Sequence, residues 1–549
     1  MQVVTIISIL IIVYLVMRLQ RRNNIKKLRA RIRKQYGKKP VSAKYSERIS
    51  YHWSEYTQSI LDDEKIDDVT WNDLEMNNIF CRINNCCSYV GEQILYSKLH
   101  CLPKNKLYRE LFEKKVSFFK SNEKEREETQ ILLSCLGKKN NDYYLPQFMA
   151  KLDSNKISGI LKYKVMQILL VLSVIPAIVL LDPKFLFISL GILFVNMIIY
   201  ATGKIKYEVH LEMLKTIVGV INTGNKIADT KKLSYENKFF DLKKKVVPFK
   251  KLLNMISIIQ MKKDAGFSGD FLGLLYDYLI GATLWDFVKY DQIVSKLKDK
   301  QQEFMELYKI LGEIDMAITI ASFRESLPLY CTPTFREEHV LQMKQIYHPL
   351  IDEPVFNTVN LDKSCIITGS NASGKSTYIK TVAINVILAQ NIHTCMAKQM
   401  VLPYARVITS MAVRDDLMAG ESYYIKEIKY LKRIIENLSE ERLIICIIDE
   451  ILRGTNTEER IAASASILKF LYQKNCFAIV ASHDFELTQI LDNVYDNYHF
   501  TEKIQERDIS FDYKIYNGAS TSKNAIKLLK YVGFPDEIIA EAQNIDWCV

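Results

Sequence analysis

The sequence predicts an α plus α/β chain: a mostly helical region to about residue 340, interrupted by an apolar hairpin, then a doubly wound sheet to residue 549. Three observations predict it. In the last 210 residues or so, short apolar runs that read as buried strands alternate with helical patterns, the order expected of a doubly wound sheet. Upstream, segments such as 239–263 and 282–318 carry apolar residues at three and four spacing with charges between, as packed long helices do. Three further runs, 3–17, 165–181 and 185–202, are apolar all round and lack the polar face of a surface helix.

Residues 1–17 read as a transmembrane anchor, because the first run is followed at once by Arg18. A cleaved signal peptide needs basic residues before the run and a small-residue cleavage site after it. Here the basic residues follow, and Tyr14-Leu-Val-Met-Arg18 offers no such site, so an uncleaved anchor is expected. Residues 18–45 form a basic juxtamembrane segment, in which 18–39 holds eleven Lys or Arg and no acid. That block equals the whole formal excess of +11, and the remaining basic and acidic residues balance. A block so placed marks the cytoplasmic side and attracts anionic headgroups. An arm for nucleic acid is the rival reading.

Residues 46–340 then form the helical region, with the hairpin at 165–202 turning at Asp182-Pro-Lys184. Each apolar run is near the short limit of a span, about 17 to 25 residues. Pro176 is better tolerated in a membrane helix than in a soluble one. Lys162 and Lys164 before the hairpin, with Lys204 and Lys206 after it, put both ends on the side of the basic block. The expectation is a multi-pass membrane protein whose C-terminal domain is cytoplasmic. A helical hairpin buried in a soluble core is the competing reading. Eleven cysteines are scattered without a Cys-X-X-Cys pair, which reads as reduced thiols and excludes a disulfide scaffold or zinc knuckle. No hydrolase triad stands out.

The region 341–549 carries the chemistry. Residues 365–368 read as a short buried strand, 378–390 as a helix, and between them runs Gly369-Ser-Asn-Ala-Ser-Gly-Lys-Ser-Thr377. Strand, loop and helix in that order make a nucleotide phosphate-binding loop. Gly369 and Gly374 let the backbone curl, so that N–H groups from Ser370, Asn371, Ala372 and Ser373 face phosphate oxygens at a helix N-terminus. Lys375 would reach the β- and γ-phosphates, Ser376 would join the Mg²⁺ shell, and Thr377 closes the motif. About 75 residues on, the apolar run 443–448 ends in Asp449-Glu450. Asp449 is placed to hold Mg²⁺ through its water shell, and Glu450 to orient or deprotonate the attacking water. A third run, 477–481, ends in Ser482-His483-Asp484, where His483 is placed to sense the γ-phosphate rather than to sit passively on the surface. Between the first two lies a turn with Gly420, then Ser422 before a helix at 425–437, a geometry suited to meeting an anion.

Taken in order, these segments resemble the ATPase domain of the MutS family of DNA mismatch-repair proteins. Gly369 to Thr377 is similar to the family's Gly-Pro-Asn-Met-Gly-Gly-Lys-Ser-Thr loop, departing at Ser370, Ala372 and Ser373. Asp449-Glu-Ile-Leu-Arg-Gly-Thr-Asn-Thr457 resembles Asp-Glu-Ile-Gly-Arg-Gly-Thr-Ser-Thr, and Ala481-Ser-His-Asp-Phe-Glu-Leu-Thr488 the His-containing strand that follows. Asp416-Leu-Met-Ala-Gly-Glu-Ser-Tyr-Tyr424 is similar to a segment that reaches across a dimer, which implies that Ser422 touches the γ-phosphate held by the other subunit. Tyr347-His-Pro-Leu350, Gly518 and Gly533-Phe-Pro-Asp-Glu-Ile-Ile539 resemble the domain's entry and its helical tail. Upstream, residues 68–76 and 80–100, with Ser88-Tyr-Val-Gly-Glu92, look like the start of the family's helical core and lever region.

The resemblance implies a homodimer that binds ATP and Mg²⁺ in composite sites and opens and closes a clamp on duplex DNA. Only 67 residues precede Asp68, so the family's mismatch-reading domain and connector are expected to be absent. Phe335-Arg-Glu337 has the form of the mismatch wedge in the wrong region. The alternative is a membrane-bound P-loop ATPase acting as a scaffold or remodelling factor without DNA. A transporter of the ABC type would need more spans and a Leu-Ser-Gly-Gly-Gln-like signature, for which Ala419-Gly-Glu-Ser422 is a poor substitute.

Overall fold

The N-terminal apolar run and the basic block after it share one unbroken helix, α1 (Gln2–Gln35). It belongs to a computed structural model that describes residues 2–41, 44–102, 106–180, 183–230, 242–249, 252, 281–370, 373–411, 423–505, 508–520 and 533–544. Helices α2 (Asp68–Asp73), α3 (Met76–Ile83), α4 (Tyr89–Leu99), α5 (Lys106–Ser121) and α6 (Glu123–Ser134) form the body before the hairpin. The hairpin itself is α7 (Ile160–Val179) and α8 (Pro183–Ala228), followed by α9 (Trp285–Lys298) and α10 (Gln301–Glu325). The basic end of α1 docks on α6, where Glu127 takes both Arg29 and Arg33, the latter through a 3.0 Å hydrogen bond. The Gly37 amide donates to Ser322 Oγ of α10 at 3.0 Å.

Helix α10 is the spine of the helical half, buried at every residue from Leu311 to Arg324. Two glycines let it lie close to α4: a side chain at Gly312 would collide with Ile94, and one at Gly91 with Asp315. Ser88 caps α4 by accepting the Gly91 amide at 3.1 Å, and its hydroxyl donates to the fully buried Asp315 at 2.6 Å. The region 282–318, read from sequence as long-helix packing, is two helices that part at Asp299-Lys300. Lys300 Nζ there donates to the Pro248 carbonyl at 2.7 Å. Most of 239–263 lies outside the described residues; within it, Leu242–Val246 is one short helix.

Only 17 % of the most apolar window of each hairpin helix is buried. Leu169, Leu172, Ile175, Phe187, Phe194 and Ile198 all stand exposed. Helix α8 departs from helical geometry at Tyr207 and then enters the body, burying Leu211, Leu214, Ile217 and Ile221. One helix thus joins the exposed hairpin to the packed core.

From Thr334 the chain becomes α/β. Strands β1 (Thr334–Phe335), β2 (Leu341–Ile346), β3 (Asn357–Leu361) and β5 (Gln399–Leu402) form a four-stranded sheet in the order β1-β5-β2-β3. Strand β4 (Cys365–Thr368), with β6 (Ala405–Ser410), β7 (Leu443–Asp449), β8 (Cys476–Ala481), β9 (Asp496–Gln505) and β10 (Asp508–Asn517), forms a second sheet ordered β10-β9-β4-β8-β7-β6. All its pairs are parallel except β10 with β9. Alternate residues face two different cores, as the pleat requires. Ile367, Ile445, Ile447 and Ile479 pack with α11 (Lys375–Ile392), whereas Ile366, Ile444, Ile448 and Val480 pack with α12 (Tyr423–Glu436) and α13 (Thr457–Tyr472). Helices cover both faces, which is why the strands are apolar throughout. Helix α14 (Phe485–Ile490) follows β8, and α15 (Asp536–Asn544) lies near the end.

The halves meet at Arg324, in the last turn of α10. Its guanidinium forks onto Glu113 of α5 at 2.6 and 2.7 Å and donates to Thr394 Oγ1 and the His393 carbonyl at the end of α11. Burial pushes the Glu113 carboxyl up, but Arg324 and His393 outweigh it and hold it down at about 2. Phe335, in the wedge-like triplet, lies flat on Tyr404 at 4.2 Å with Arg109 over its ring, and so is committed to packing.

Candidate nucleotide-binding site

Parallel strands end on one edge, and the turns that follow them collect there. Thr368 at the end of β4 leads into Gly369 at φ 139°, and the loop closes at Gly374, φ 101°, before α11. Both lie in the left-handed region that favours glycine. A Cβ at Gly369 would meet the Phe500 carbonyl at 2.9 Å and Ser373 Oγ at 3.0 Å, so the loop also needs glycine for space. Asn371, Ala372 and Ser422 lie outside the described residues. Ser373 Oγ donates to the Ser370 carbonyl at 2.7 Å, tying the loop's two ends.

Lys375 is 2 % exposed and folds back over the loop, donating to the carbonyls of Gly369 at 2.5 Å and Ser370 at 2.8 Å. An ammonium so placed sits where phosphate charge would be neutralised. Ser376 is half-buried and Thr377 exposed at the first turn of α11.

Strand β7 delivers Asp449 and Glu450 beside this loop. The Asp449 side chain is buried, and its Oδ1 has no hydrogen-bond partner. A buried carboxylate oxygen left unmatched is costly unless a ligand completes it. Among the described residues no three His, Cys, Asp or Glu converge on one point. One aspartate and one hydroxyl suit Mg²⁺, which takes its other ligands from water and phosphate. Glu450 has left-handed backbone, φ 57°, with its amide bonded to the Ala481 carbonyl at 2.9 Å. Its carboxylate pairs with Nε2 of His483 from the end of β8 and with Arg453. Burial pushes the Glu450 carboxyl up, but His483, Arg453 and Lys375 together bring it below the ordinary value. The other ring nitrogen of His483 is 3.3 Å from the Gly369 carbonyl. The structure therefore brings together Gly369, Gly374, Lys375, Asp449, Glu450 and His483.

Two features escape sequence reasoning. A cleft of about 380 Å³ opens beside Gly374, Ser376 and Thr377, walled by Tyr347, Pro354, Phe500 and Tyr513. Apart from Tyr347, which belongs to the Tyr347-His-Pro-Leu350 stretch, these residues carry no motif, and Tyr513 arrives from β10. The second is the clasp of α12 on the loop after β7, where Arg453 N–H meets Glu427 at 3.1 Å.

Residues 365–547 match the family model for MutS domain V. Over 268 residues the chain is 31 % identical to the DNA mismatch repair protein MutS of Pseudothermotoga lettingae, covering 47 % of this chain and 33 % of that protein. It is 27 % identical over 266 residues to the protein of the same name from Thermotoga maritima, with the same coverage. It is 32 % identical over 276 residues to human MutS protein homolog 4, covering 46 % of this chain and 29 % of that protein. The chain spans about a third of the length of the relatives it matches. Over residues 365–547 the chain is thus similar to MutS domain V.

Proposed function

We propose that this protein is a membrane-held ATPase of the MutS type that works as a homodimer on duplex DNA. The observation that carries the ATPase reading is the convergence of Lys375, Asp449, Glu450 and His483 at the carboxyl edge of one parallel sheet. ATP lies with its triphosphate along Gly369–Thr377 and its nucleoside toward the cleft at Tyr513. Ser376 and Asp449 would hold Mg²⁺, which when bound neutralises phosphate charge. Lys375 leaves the loop carbonyls for the β- and γ-phosphates. Glu450, kept ionised by its neighbours, accepts a proton from the attacking water or orients it, and His483 reports on the γ-phosphate. Ser422 of each subunit completes the site of the other.

Two expected outcomes test this. Lys375→Ala abolishes tight ATP binding in a fluorescent-nucleotide titration. Glu450→Ala keeps binding and loses turnover by roughly 10²- to 10⁴-fold, the range for losing a general base. Parent-like turnover in Glu450→Ala would falsify its role.

The membrane reading rests on the exposed hairpin and on the basic block carried by α1. Both runs are long enough to span, and the cationic residues suit an anionic leaflet. The same observation favours the second reading, a membrane-bound scaffold or remodelling ATPase without DNA. Anisotropy titrations with homoduplex and mismatched DNA separate the two. Salt-sensitive binding supports the clamp; no binding to either duplex supports the scaffold.

A further inference from the structure

Helix α12 carries a buried carboxylate that the hydrolysis chemistry does not use. Glu427 is 4 % exposed and faces the loop after β7. Its Oε1 accepts the Arg453 amide at 3.1 Å. One turn back, Tyr424 lies so close to Gly454 that a Cβ there would meet Tyr424 Cβ at 2.9 Å. The loop needs such a grip, because Glu450 and Leu452 both have left-handed backbone, φ 57° and 58°, which L-residues adopt only under constraint. Burial pushes the Glu427 carboxyl up, with the loop amides and Arg453 opposing it. Its Oε2 is buried without a hydrogen-bond partner. A carboxylate is a poor core filler, so its place here answers to the amides it accepts.

We propose that Glu427 is a positioning residue: from α12 it clamps the backbone of residues 452–454, holding the strained turn that aims the Glu450 carboxylate. This inference rests on the ATPase reading of the site.

The test uses the full chain in nanodiscs, with ATP turnover, fluorescent-nucleotide binding and thermal unfolding on the same preparations. Glu427→Ala is expected to lower kcat on the order of tenfold to a hundredfold, the scale of a misaimed catalytic group, while nucleotide affinity holds. Glu427→Gln, whose amide oxygen accepts the same N–H, recovers most of the turnover. In a Glu450→Ala background, Glu427→Ala has no further effect, because it acts through Glu450. Gly454→Ala, pressing on Tyr424, lowers kcat in the same way and serves if Glu427→Ala does not fold. Parent-like kcat in Glu427→Ala or Gly454→Ala overturns the proposal. So does a loss of kcat matched by loss of nucleotide affinity, or a Gln variant no better than Ala. If the parent does not hydrolyse ATP, or Glu450→Ala equals it, the ATPase reading itself falls. If those controls behave and Glu427→Ala is silent, only the positioning role falls.

Discussion

In the α/β half, motif residues sit where a strand end or a tight turn demands them: Gly369 and Gly374 at positive φ, Asp449 and Glu450 at the end of β7, His483 just past β8. In the helical half, close contacts such as Gly91, Gly312 and the Ser88–Asp315 pair apart, burial along α10 or α4 follows packing, and many apolar choices would fill the same space. The relatives align over 46–47 % of this chain, and the family model covers 365–547. Chemistry ties residue identity to position, whereas packing ties only residue class. The helical half also carries an exposed apolar hairpin and a basic helix. Where the halves touch, polar residues again become particular, as at Arg324 and Glu113.

Four perturbations press on that contrast, in falling order of effect. Glu450→Ala should cost the most, with ATP turnover reduced by about 10²-fold or more, against little change for a volume-conserving swap in α10. Parent-like turnover would erase the contrast. In the hairpin, a charge at the centre of a span costs about 2.5–3.5 kcal/mol. With residues 2–17 deleted, the chain should still float with vesicles. Leu172→Arg with Ile175→Arg added should sediment free, and equal flotation of the two would remove the hairpin from the membrane account.

At the junction, Glu113→Ala leaves the buried Arg324 uncompensated and should lower stability by about 3 kcal/mol, read by denaturant unfolding. The sign with pH follows from the depressed Glu113 value. Its stabilisation is fully present above the ordinary carboxylate value near 4.5 and is lost as pH falls through about 2. Glu113→Gln should therefore flatten the acid side of the stability profile, and an unchanged slope would argue against the coupling. The smallest effect is expected at His483. Its partnership helps keep Glu450 ionised below the ordinary carboxylate value, so His483→Ala should move the acid limb of kcat upward in pH.

The α plus α/β class and the phosphate loop were legible because each leaves a local mark. Short apolar runs ending in charge or glycine read as buried strands, and a Gly-rich turn between such a strand and a helix is the mark of a phosphate loop. The break at Asp299-Lys300 was not legible, since no Gly or Pro marks it and the Lys300 contact comes from Pro248, far along the chain. Tyr513 and Glu427 were equally silent. One reaches the site through the antiparallel pairing of β10 with β9, the other through a contact with residues 26 positions away. Tertiary neighbours, not local pattern, give these residues their roles.

The central claim is that two copies share their active sites, with Glu450 of one subunit and Ser422 of the other acting on the same triphosphate. Mixing Glu450→Ala with Ser422→Ala tests it most directly, because a mixed dimer rebuilds one complete site from two inactive parents. The account predicts that ATP turnover of the mixture rises well above the sum of the separate variants. Turnover equal to that sum, with both variants folded and binding nucleotide, would contradict it.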